Sequence, residues 1–349
     1  MPAARASWRP WVALLLVALT AAGLAACGED DQPAAGPSAA PGLTSALAER
    51  TKMTLVLDFI PNAVHAGIYR AVAAGYYEDR NIDLEIVQPT STADTLKLID
   101  AGKAQVGLAD GIDVAGQIDL GTDAQAILAL TQRPLGGLIT LRESGIETPQ
   151  ELEGRKVGVT GVPSDNAILD TIMRDAGGDP GKADVVTIGF NGVQNLESGT
   201  IDAFTGYWPA DGVQVEQDGK PTQIFPFDEY GGPSYPGLVA FSTKDRIAAD
   251  GPLLRAFVDA TVQGYEDTIE DPARSLDDLL TENPALKRDL TEAQLQAYGP
   301  LFQGEATVFG TFDSDQLRAL SSFLVDTDLI KRPIAPARFA TSRFLPEGG

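Results

Sequence analysis

The chain of 349 residues holds one cysteine, Cys27, and one histidine, His65. A lone cysteine cannot close an internal disulfide, and no Cys/His set with metal-ligand spacing can be assembled from such a sequence. No GxSxG elbow is present, so His65 has no serine nucleophile of that kind to serve. Basic residues are scarce. The 26 Lys and Arg stand against 49 Asp and Glu, a formal net charge of −23. Such a surface repels nucleic acid and anionic lipid headgroups, so nucleic-acid partners are not expected. Long apolar runs are missing too, apart from one near the N-terminus, and there is no short-period repeat.

That one run reads "WVALLLVALTAAG" after Arg5 and Arg9, with no acid before it. It is too short to span a bilayer comfortably and has the shape of a signal peptide. Leu24-Ala25-Ala26-Cys27 follows and resembles the bacterial lipobox. The resemblance implies a signal peptide over residues 1–26, cleavage before Cys27 and lipidation of that cysteine on the extracytoplasmic face of the membrane. Residues 27–51 are rich in Ala, Pro, Gly and Ser without apolar periodicity, and read as a flexible tether.

The roughly 300 residues beyond are more than one simple core needs and suit two domains. Strand and helix patterns alternate: "MTLVLDF" (53–59), a helix over 65–80 weakened by Gly75, then "DLEIVQ", "TADTLKLIDAG", "AQVGLAD", "DVAGQIDLG" and "AQAILALT". The β-α-β-α-β order predicts an α/β fold with an open, mostly parallel sheet. Ligands in such sheets sit beyond the carboxyl ends of the strands, here at "DFIPN" and "ADGID". Asp110 at the second of these lines the cleft or merely starts a helix. The alternation restarts at "GGLITLRE" (136–143) and runs through "KVGVTG", a helix from 163 capped by Ser164 or Asp165, "DVVTIGF", "VQNLESG" and "IDAFTGYW". A further strand follows at "LVAFSTKD" (238–245), and mostly helices from Gly251. The simplest arrangement is a second α/β lobe (136–242) inserted into a first (52–135 and 243–349). Two crossovers then act as a hinge around a ligand cleft.

Several stretches resemble the thiamine-pyrimidine binding proteins of bacterial ABC importers and the related fungal hydroxymethylpyrimidine synthases. They are "LDFIPNAVHAGIYRAVAAGYYEDRNIDLEI", "QRPLGGLITLRESGIETPQELEGRKVGV", "IGFNGVQNLESGTIDAFTGYWPADGVQVEQDG" and "PSYPGLVAFSTKD", together spanning about residues 52–246. The resemblance implies the two-lobed type II periplasmic-binding-protein fold. It also implies a small-molecule ligand, an importer permease as partner, a monomer and no cofactor. Asp58, Phe59, Asn62, His65, Tyr207, Trp208, Asp211 and Tyr235 are then expected to face the ligand. Aromatic faces stack on a flat aminopyrimidine for about 0.5–1.5 kcal/mol per pair, and carboxylates accept from its exocyclic amine. Other roles stand beside these: Asp58 as cap of the Pro61-Asn62 turn, Tyr207 and Trp208 as core at a strand end, His65 as a contact to its own loop. Ala210-Asp211 departs from the Trp-Glu pair common in the family, which suggests a reshaped pocket. The cysteine-rich motif of the synthases is missing, which points away from an enzyme. Riboflavin, sulfonate and nitrate binders share the fold and remain alternatives. Carboxylates with aromatics in the cleft favour an amine-bearing heterocycle; an arginine and a helix N-terminus aimed at one point favour an anion.

Overall fold

In a computed structural model that describes residues 46–346, the chain forms two five-stranded mixed sheets flanked by helices. The signal-peptide and lipidation expectations, Cys27 included, lie outside the described residues. The expected tether ends early. Leu47 already packs on the core, donates to the Arg80 carbonyl at 3.1 Å and accepts from Asn81 Nδ2 at 2.7 Å.

The first sheet has the order β2-β1-β3-β10-β4. Its strands are β1 (Thr51–Val56), β2 (Ile82–Val87), β3 (Val106–Asp110), β4 (Ala124–Ala129) and β10 (Leu238–Thr243). The second has the order β7-β6-β8-β5-β9. It contains β5 (Gly136–Leu141), β6 (Lys156–Val159), β7 (Asp184–Thr187), β8 (Ala203–Tyr207) and β9 (Thr222–Pro226). Both sheets are interrupted by one antiparallel strand: β10 runs against β3 and β4, and β5 runs against β8 and β9. Each is the first strand after a chain crossing from one sheet to the other. Because β10 pairs with β3 and β4 from Leu238 onward, the return to the first sheet precedes residue 238, not residue 243 as the sequence reading placed it. β9 was not anticipated; "TQIFP" is short and offers a weak strand pattern.

Helices α1 (Ala66–Ala73), α2 (Thr92–Asp100) and α3 (Gly111–Asp119) connect strands of the first sheet. Helices α4 (Pro163–Asp175), α5 (Gly192–Glu197) and α6 (Val213–Gln217) belong to the second. After β10 the chain is helical, through α7 (Lys244–Ala249), α8 (Gly251–Glu270), α9 (Pro272–Glu282), α10 (Arg288–Gln303), α11 (Ser314–Asp326) and α12 (Pro336–Phe339). Helix α1 is shorter than its apolar spacing suggests, because Gly75 adopts φ 78° and stops it in the left-handed conformation that glycine tolerates. β3, β4 and β5 are buried along their whole length, which explains their continuous apolar runs. Among the described residues no helix is long and apolar enough to cross a membrane.

Candidate functional site

The two sheets meet at a small cavity that both of them wall. Asp58, Phe59 and Asn62 come from the turn after β1, and Asp110 and Asp113 from the start of α3. Thr160, Val162, Ser164, Asp165 and Ile168 come from the β6–α4 junction, and Gly206, Tyr207, Ala210 and Asp211 from the end of β8. Gly136 of β5 completes the lining.

The turn after β1 is held by its own side chains. Asn62 Oδ1 accepts from the Val64 amide at 3.0 Å, and Asn62 Nδ2 donates to the Ile60 carbonyl at 3.0 Å. The Asn62 amide donates to His65 Nδ1 at 3.2 Å, and His65 Nε2 lies 2.9 Å from Asp58 Oδ1. A backbone N–H can only donate, so Nδ1 carries no proton; Nε2 does, and donates to the Asp58 carboxylate. His65 is completely buried and does not line the cavity. It acts behind Asp58, using both ring nitrogens to orient that carboxylate.

Asp110 takes both of the roles open to it. Its Oδ1 caps α3 by accepting from the Ile112 amide at 2.8 Å, and it lines the cavity. Tyr235 is fully buried outside the lining; its hydroxyl donates to Asp110 at 2.9 Å and 3.2 Å to the two oxygens. Burial, then the neighbouring Asp113, push the Asp110 carboxyl well above its ordinary range. Asp113, one turn along α3, reaches the second sheet's α4: Oδ1 accepts from the Ser164 amide at 3.3 Å and Oδ2 from Ser164 Oγ at 3.0 Å. Burial, then Asp165, raise its pKa to about 7.

Neither Ser164 nor Asp165 is the N-cap of α4, which begins at Pro163. Asp165 instead reaches back. Its Oδ2 accepts from the amides of Thr160 and Gly161 at 2.8 Å and 3.0 Å and from Thr160 Oγ at 2.6 Å; Oδ1 accepts from Thr205 Oγ at 2.9 Å. Burial raises its carboxyl all the same. Asp211 lies in a single π-helical turn, Trp208–Gly212, and its Oδ2 accepts from the Tyr207 amide at 3.0 Å. A Cβ at Gly206 would stand 2.6 Å from that oxygen, so any larger residue there would displace the carboxylate. Burial raises Asp211 to about 7. Gln294 Nε2 of α10 holds the turn through the Ala210 carbonyl at 3.1 Å.

Tyr207 presents its ring to the cavity. Burial, then the charges of Asp110 and Asp58, raise its hydroxyl well above the ordinary tyrosine value, so it remains a neutral donor. Trp208 turns away from the lining and packs against the core of the first sheet, and its Nε1 is buried without a hydrogen-bond partner among the described residues. Phe59 meets Phe190, from the segment after β7, edge to face at 4.3 Å between ring centroids. Of the nine expected binding residues, Asp58, Phe59, Asn62, Asp110, Tyr207 and Asp211 therefore line the cavity, while His65, Trp208 and Tyr235 do not. Asp113, Ser164 and Asp165 were missed as wall residues. Asp113 follows Asp110 by three positions at a helix start, a spacing that shares a helix face and could have signalled it. The wall holds five carboxylates, from Asp58, Asp110, Asp113, Asp165 and Asp211, and no Lys, Arg or His.

A pair of mixed five-stranded sheets around a shared cleft is the type II periplasmic-binding-protein fold. The alkanesulfonate-binding protein SsuA from Xanthomonas axonopodis pv. citri, solved bound to MOPS, superposes with a TM-score of 0.68 at 15% identity, covering 84% of this chain and 99% of its own. The family described as NMT1/THI5 like matches residues 62–275, and the chain belongs to it. Its relatives include the formylaminopyrimidine-binding protein of Halalkalibacterium halodurans, 29% identical over 80% of this chain and 86% of that one. They also include THI5 of Saccharomyces cerevisiae, a 4-amino-5-hydroxymethyl-2-methylpyrimidine phosphate synthase, 27% identical over 70% and 75% respectively.

Proposed function

We propose that the protein is an extracytoplasmic substrate-binding lipoprotein of an ABC importer, anchored through Cys27, that captures an aminopyrimidine of the thiamine-precursor kind. The observation that carries the ligand class is the cavity wall, with five carboxylates, the Phe59 and Tyr207 rings, and no basic side chain. Carboxylates accept from an exocyclic amine, and the rings provide flat apolar faces. A sulfonate or nitrate would find five carboxyl groups there and no basic side chain to balance its charge. The name of the Halalkalibacterium halodurans relative agrees with this reading.

A binding role is favoured over a synthase. His65 has both ring nitrogens engaged, to the Asn62 amide and to Asp58, and stands behind the wall. The synthases' cysteine-rich motif has no counterpart in a chain with one cysteine. Mass spectrometry of the small molecules carried by gently purified protein tests the assignment. So does calorimetry with 4-amino-5-hydroxymethyl-2-methylpyrimidine, its formylamino counterpart, riboflavin and an alkanesulfonate. An aminopyrimidine should bind most tightly. Tighter binding of the sulfonate or riboflavin refutes the reading.

A further inference from the structure

We propose that the cavity selects its ligand as a cation: a flat ring whose exocyclic amine is conjugated to a protonated ring nitrogen. This rests on the aminopyrimidine reading above and adds the charge state of the bound species.

The argument starts from what satisfies each carboxylate. Asp58 receives the neutral His65 Nε2–H. Asp110 receives the Tyr235 hydroxyl and the Ile112 amide, and Asp113 receives the amide and hydroxyl of Ser164. Asp165 is held by Thr160, Thr205 and the Gly161 amide, and Asp211 by the Tyr207 amide. Tyr298 of α10, fully buried, adds a neutral hydroxyl that feels Asp211 and Asp58 and has no hydrogen-bond partner among the described residues. Every donor is uncharged. Neutral donors orient a carboxylate but leave its charge in place, and like charges gathered around one cavity repel.

Arg70 pairs with Asp267 and Asp278, and Arg133 with Asp228 and Glu229. The wall is therefore built to receive positive charge from the ligand. An aminopyrimidine protonates on a ring nitrogen, and resonance spreads the charge onto the exocyclic amine. The cation then offers charged N–H donors from both positions, where the neutral ring offers only the amine. Without a cation the cluster is expected to retain protons, as the high pKa values of Asp113 and Asp211 agree.

The test separates charge from shape with two probes of the same size. 4-Aminopyridine is a conjugated cation across the neutral range; aniline keeps the flat ring and the amine but is neutral. Calorimetric titration of the full protein near pH 7 should give at least a tenfold preference for 4-aminopyridine, about one decade or 1.4 kcal/mol. Because this probe's charge is constant, its affinity should rise with pH between about 5.5 and 8 as wall carboxylates ionise. Asp113→Asn and Asp211→Asn should each reduce the preference severalfold, with thermal melts confirming that the variants remain folded. Equal binding of the two probes, or a preference independent of pH, overturns the proposal. 4-Amino-5-hydroxymethyl-2-methylpyrimidine is titrated in parallel. If it binds while the probes show no charge preference, the pyrimidine assignment stands and the charge inference falls. If 4-aminopyridine is preferred and the pyrimidine does not bind, the reverse holds. If none of the three binds, both fall.

Discussion

Replacing Asp58 with Asn leaves the shape of the β1 turn intact and removes one charge from the wall. In the wild type, Asp58 Oδ1 accepts from His65 Nε2 at 2.9 Å. An amide oxygen can still accept from that donor, so the fold should lose only about 1 kcal/mol, the size of one weakened hydrogen bond. The other end of the side chain changes more. A carboxylate oxygen becomes an NH2 group, which cannot accept from a ligand amine. Losing a hydrogen bond to a charged acceptor costs about 1.5–3 kcal/mol, so the dissociation constant should rise roughly ten- to 150-fold. Calorimetry with 4-amino-5-hydroxymethyl-2-methylpyrimidine measures that loss, and the same ring without its amine serves as control. The control should lose much less, because it never donated to Asp58. An unchanged affinity, or an equal loss for both ligands, refutes a direct role of Asp58. Thermal melts of both proteins separate lost binding from lost folding.

Other outcomes follow from the same geometry. Tyr207→Ala removes a face of the cavity and should weaken binding about five- to tenfold, whereas Trp208→Ala, which deletes a side chain packed on the core, should chiefly lower the melting temperature. Asp113 and Asp211 have folded pKa values of about 7 against an ordinary 3.8, so the folded state holds more protons in that window. Their contribution therefore makes the ligand-free protein less stable as pH rises from about 4 to about 7, and Asp211→Asn should flatten the slope seen in urea titrations. Phe190→Ala removes the edge-to-face contact with Phe59 and should speed ligand release in stopped-flow measurements severalfold, in line with about 1 kcal/mol for such a pair. Cys27→Ser should leave the protein uncleaved by the lipoprotein signal peptidase and unacylated; a variant that is processed and stays on membranes after carbonate washing just as the parent does refutes lipid anchoring through that residue.

Sequence periodicity alone was enough to read alternating strands and helices, two α/β runs and a helical C-terminal third. Apolar spacing and turn residues are local, and each short segment reports its own backbone preference. The turn after β1 was legible for the same reason: Asp58, Asn62 and His65 lie within eight residues and bond to one another. The tertiary structure decided which sheet receives each strand. A nearly fully buried run such as Leu238–Thr243 looks the same whether it joins the first sheet or the second, and only pairing with β3 and β4 assigns it. Both Tyr207 and Trp208 pack against the core of the first sheet, but only Tyr207 also lines the cavity. The meeting of Asp113 with Ser164, 51 residues apart, depends on how α3 and α4 face each other across two sheets, and no local pattern carries that information. Composition showed a chain poor in positive charge; the fold gathered five of its carboxylates around one cavity, because residues from four separate strand ends converge there.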